Sequence, residues 1–60
     1  MNFQIENRGP YFSIITNNEG EFAGIISALP NALICINLVG GMAHVGFRSM
    51  TEAQAFVHAL

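Results

Sequence analysis

Cys35, Asn37 and His44 are the three residue types of a Cys-His-Asn nucleophilic set, and they fall within one short stretch of the chain. In such a set an imidazole takes the proton of the thiol, the thiolate attacks, and an amide orients the imidazole. His44, His58 and Cys35 are also metal-ligand types, although their spacing matches no zinc-site pattern. Arg48 has the chemistry to anchor a partner's carboxylate, and Tyr11 beside Phe12 has a ring face for stacking. The glycines form no phosphate-binding loop, because G-x-x-x-x-G-K-[ST] is absent.

What these residues can do depends on the elements that hold them. Ala32 to Arg48 reads ALICINLVGGMAHVGFR, two β-prone apolar runs joined by Gly40-Gly41. Glycine supplies the positive φ that a tight hairpin loop requires. With Gly40-Gly41 as a two-residue loop, counting outward pairs Val39 with Met42, Leu38 with Ala43 and Asn37 with His44. It then pairs Ile36 with Val45, Cys35 with Gly46 and Ile34 with Phe47. Side chains alternate faces, so Ile34, Ile36, Leu38, Ala43, Val45 and Phe47 form a wholly apolar core face. Cys35, Asn37, His44 and Arg48 share the other face. Cys35 and His44 are then diagonal neighbours at roughly 7–8 Å, too loose for a thiol–imidazole hydrogen bond. No nucleophile elbow or oxyanion hole accompanies them. The expectation is therefore a non-enzyme without metal or cofactor, with Cys35 a small hydrophobe and Asn37–His44 a cross-strand polar pair. Cys35, Asn37, His44, Arg48 and Tyr11 are the candidate partner- or ligand-binding residues.

Along the chain, Phe3 to Asn7 alternates apolar and polar as a first strand, and Arg8-Gly9-Pro10 ends it. Tyr11 to Thr16 is a second strand and Asn17-Asn18-Glu19-Gly20 a turn cluster. Glu21 to Ser27 is a third strand, which Gly24 weakens or in which it marks a close approach or a bulge. Ala28-Leu29-Pro30-Asn31 connects it to the hairpin. Ser49-Met50-Thr51-Glu52 fits a helix capping box. Behind it Met50, Ala53, Phe56, Val57 and Leu60 recur at helical spacing. The predicted fold is α+β: a four- to five-stranded antiparallel sheet with one C-terminal helix on one face, forming one domain over residues 1–60 that dimerises through the other face or an edge strand.

Sixty residues with 52% hydrophobic and 10% charged side chains leave apolar surface uncovered. One cysteine excludes an internal disulfide, so association is the staple left to the chain, most simply a homodimer. Two arginines and a net charge of −2 disfavour nucleic acid. The start MNFQIENR is no signal peptide, which points to the cytoplasm. Phe22 to Phe47 carries no charge, but Pro30-Asn31, Asn37, Gly40-Gly41 and His44 favour a sheet over a membrane span.

In style (tiny, apolar, nearly uncharged, without a catalytic set) the chain is similar to the small inhibitors and accessory proteins of phages and mobile elements. That similarity implies a protein-binding module that occludes a partner. Two other functions remain open on sequence alone. One is a small-ligand or nucleotide binder with its pocket at a dimer interface near Asn37, His44 and Arg48. The other is a small membrane protein.

Overall fold

The structure, a computed structural model, describes residues 2–41 and 43–60. Five strands, β1 (Gln4–Asn7), β2 (Phe12–Thr16), β3 (Phe22–Ala28), β4 (Ile34–Leu38) and β5 (Ala43–Phe47), precede one helix, α1 (Met50–His58). The strands pair antiparallel in chain order, β1-β2-β3-β4-β5, so each connection is a hairpin. This is the α+β architecture expected, with the helix packed on one side of the sheet.

The turns follow their residues. Asn17 Oδ1 accepts from the N–H groups of Glu19 and Glu21 (both 2.9 Å), an Asx device that closes the β2–β3 turn. Between β3 and β4, Ala32 N–H bonds Leu29 O at 2.9 Å, which puts Pro30 in the turn position that its fixed φ suits. Ala32 follows at φ 70°, the one positive-φ residue other than glycine among those described. The left-handed region costs an L-residue about 1–2 kcal/mol, against about 0.5–1 kcal/mol for the extra chain freedom of glycine. Ala32→Gly should therefore raise stability by about 0.5 kcal/mol or slightly more. A higher urea midpoint with unchanged slope is the expected reading, and a lower midpoint would contradict it.

The core lies between sheet and helix. Ile15, Ile26, Ile36, Ala53 and Val57 are fully buried, with Ile34 nearly so. Met50 and Phe56 pack against this cluster from the helix, and Ile5, Leu38 and Phe47 from the sheet. One row, Asn7, Ser13, Ile26, Ile36 and His44, crosses all five strands on this side. The buried Ser13 hydroxyl donates to Asn7 Oδ1 and Gln54 Nε2 donates to the same oxygen, both at 2.8 Å. That node satisfies the polar atoms at the β1 side of the helix, where unpaired they would be costly.

The capping box forms in part. Ser49 Oγ accepts from Glu52 N–H at 3.1 Å. The Glu52 carboxylate accepts from Arg48 N–H (3.2 Å), one residue earlier than the Ser49 N–H that a full capping box would use. Of the expected helix stripe, Leu60 lies beyond α1 and stays 39% exposed.

The β4–β5 register departs from the sequence expectation. Asn37 pairs with Ala43, Ile36 with His44 and Cys35 with Val45, and the register then shifts so that Ile34 pairs with Phe47. The loop is not Gly40-Gly41 alone. Gly41 N–H bonds Leu38 O at 3.1 Å with Gly40 at φ 71°, so the turn starts at Leu38 and the loop is longer than two residues. The expected Val39–Met42 pair falls outside the described residues. Further along, Gly46 at φ 104° takes up the extra residue as a bulge. Ala43 and Val45 consequently leave the expected core face and His44 joins it, while the bulge returns Phe47 to the core side.

Candidate functional site

The side of the sheet opposite α1 is left unused by the core. Two rows cross it, Glu6, Ile14, Ile25, Asn37 and Ala43, and beside it Phe12, Ser27, Cys35 and Val45, and the pair Gln4–Thr16 extends it on β1 and β2. Phe12 is 38% and Val45 62% exposed, and Ile14 and Ile25 are half-buried. The only ionised side chain in these rows is Glu6 on the outermost strand, where it pairs with Arg8 at the surface. Apolar groups from Phe12, Ile14, Ile25 and Val45 are set on this face among the polar side chains of Glu6, Ser27 and Asn37.

Its origin is visible in the doubled isoleucines Ile14-Ile15 and Ile25-Ile26. Neighbouring strand residues point to opposite faces, so each pair sends one isoleucine under α1 and the other outward. Ile15 and Ile26 are fully buried, while Ile14 and Ile25 stand in the open face. Sequence reasoning selected neither of these two, weighed Phe12 only as a stacking ring beside Tyr11 and placed Val45 in the core, although a strand apolar on both faces signals cover on both.

The sequence-predicted residues are dispersed. Cys35 and Asn37 stand on the open face, where Asn37 Nδ2 donates to Cys35 Sγ at 3.4 Å. Cys35 is a buried free thiol. His44 lies on the helix side, its ring 4.9 Å from that of Phe56. The sheet therefore separates thiol from imidazole, and the expected cross-strand contact of Asn37 with His44 is replaced by Ile36 opposite His44. Arg48 follows β5 as an exposed residue, and its guanidinium makes no ion pair among the described residues. Tyr11, 69% exposed, sits in the β1–β2 connection. No group of three or more His, Cys, Asp and Glu that could hold a metal occurs among the described residues.

An open cleft of about 500 Å³ is walled by Phe3, Asn17, Phe22, Leu38 and Val39. Asn37, His44 and Arg48 are not part of it. Among the described residues no helix is long and apolar enough to cross a membrane. No known protein family, curated protein or solved structure matches the chain.

Proposed function

We propose that this protein is a small non-enzymatic binding module, homodimeric, that acts as an inhibitor or accessory factor by occluding the surface of a partner protein. The observation that carries this reading is the open sheet face of Phe12, Ile14, Ile25, Cys35 and Val45, with its single charge at the margin. What a partner would cover there is the exposed part of Phe12 (38%) and Val45 (62%), with the half-buried Ile14 and Ile25 between them. In this reading the protein works in the cytoplasm, in the manner of small phage and mobile-element accessory proteins.

The test is site-directed photo-crosslinking in the protein's own cells, with a photoreactive phenylalanine analogue at Phe12 or at Thr51 on the exposed side of α1. The expected result is one discrete protein adduct from position 12, lost with Ile14→Glu and absent from position 51. Equal adducts from both positions would sink the face as the site. A purified protein that captures no other protein, yet turns over a substrate in a Cys35-dependent way, would sink the function.

A further inference from the structure

The sheet ends in two edges, and they are built differently. In an antiparallel ladder, alternate residues direct both N–H and C=O to the same neighbouring strand. Val39 N–H bonds Ala23 O at 2.8 Å and Leu29 N–H bonds Leu33 O at 2.7 Å, which fixes that alternation for β3 and β4. Stepping by two from Val39, Asn37 and Cys35 turn their backbone groups toward β3, so Ile36 turns its own toward β5. His44, opposite Ile36, spends its N–H and C=O on β4. Ala43 and Val45 therefore present theirs outward, along an edge with no strand beside it.

The same reasoning at the other edge starts from Arg8 N–H on Phe12 O at 2.9 Å and leaves Ile5 and Asn7 facing outward on β1. That strand has four residues, carries Glu6 and is followed at once by Arg8-Gly9-Pro10, the devices that keep an edge from pairing. Strand β5, Ala-His-Val-Gly-Phe, has no charge and no proline, and its one guard is the bulge at Gly46 beyond the outward pair.

We infer that β5 pairs antiparallel with β5 of a second copy, about a two-fold axis at His44. The outward groups are self-complementary under that operation: Ala43 meets the second copy's Val45, and Val45 its Ala43, for four backbone hydrogen bonds. A second copy is the occupant that brings an identical unguarded edge with its donors and acceptors already at the required spacing. On the helix side the axis brings the two His44 residues together beside the Phe56 rings that already pack on them. On the other side it joins two open faces through Ala43 and Val45 into one apolar surface on a ten-stranded sheet. The seam rests on the homodimer of the reading above and names the element that forms it.

The test combines native mass spectrometry with amide hydrogen exchange on the wild-type chain, Val45→Pro and Ile14→Glu. Proline at position 45 removes only an outward N–H, so the internal ladder keeps its bonds. The expected results are a dimeric mass for the wild type and Ile14→Glu, a halved mass for Val45→Pro, and Ala43 and Val45 amides as slow to exchange as that of His44. A monomeric wild type overturns the homodimer itself. A dimer whose Ala43 and Val45 amides exchange freely, or one that Ile14→Glu rather than Val45→Pro divides, overturns the seam alone. The exchange measurement needs no substitution, so it decides the matter even where Val45→Pro fails to fold.

Discussion

Gly24→Val is expected to leave the chain unfolded at room temperature. Gly24 is buried in the middle of β3, between Ile15 on β2 and Leu38 on β4. A Cβ built there meets the backbone oxygen of Asn37 well inside contact distance and lies 3.1 Å from Leu38 Cα. Both obstacles are main-chain atoms of the neighbouring strand, so no rotamer change relieves them. Relief requires β3 and β4 to part where their ladder holds the core isoleucines Ile26 and Ile36 in register. Overpacking in a core costs about 1–3 kcal/mol when side chains can adjust, and more when they cannot. A domain of this size has only about 3–5 kcal/mol in total. Far-ultraviolet circular dichroism should show the sheet signal lost for Gly24→Val and weakened for Gly24→Ala. A cooperative unfolding transition of wild-type midpoint in either variant would refute the close approach.

The glycines also mark where the fold was legible in sequence and where it was not. Strand identities, the capped helix and the sheet with one covered face follow from β-branched runs, turn residues and helical spacing, signals that act over a few neighbours. Gly24 was legible as a close approach because an isolated glycine within a strand has few other uses. Gly46 carries the same signal, yet two ladders fit the residues around it. A Gly40-Gly41 loop without a bulge buries Val45, whereas a turn begun at Leu38 with a bulge at Gly46 buries one face of His44 instead. Hydropathy favours the first. The second wins where Phe56 offers the imidazole a ring to pack on and the position near the sheet edge leaves it half-exposed. That contact joins residues on different elements, and periodicity within one strand cannot express it. The same one-residue difference explains why the Cys35, Asn37 and His44 cluster dissolved. That one sheet face would stay open for a partner was legible, but which residues of β2 and β3 stand on it was not, since Ile14-Ile15 and Ile25-Ile26 blur the alternation that would assign each residue to a side.

Ile36→Ala should abolish the folded monomer and expose what association contributes. Ile36 is 0% exposed, between Ile26 and His44 on the helix-covered side, in the cluster that Ala53 and Val57 close from above. Truncating a buried isoleucine to alanine costs about 2–5 kcal/mol through lost burial and the cavity left behind. That is as large as the about 3–5 kcal/mol a domain of this length commands alone. A chain that folds as a dimer draws further stability from its own concentration, about 1.4 kcal/mol of dimer free energy per tenfold increase. The melting midpoint of Ile36→Ala should therefore lie far below that of the wild type and climb as protein concentration rises. Adding Val45→Pro should remove that climb, because the β5 edge then lacks the outward Val45 donor. A midpoint within a few degrees of wild type would mean that the row from Asn7 to His44 is not the centre of the core. A low midpoint that ignores concentration would mean that the core stands or falls within one chain, and that an apolar face on so small a domain is held ready for a different protein.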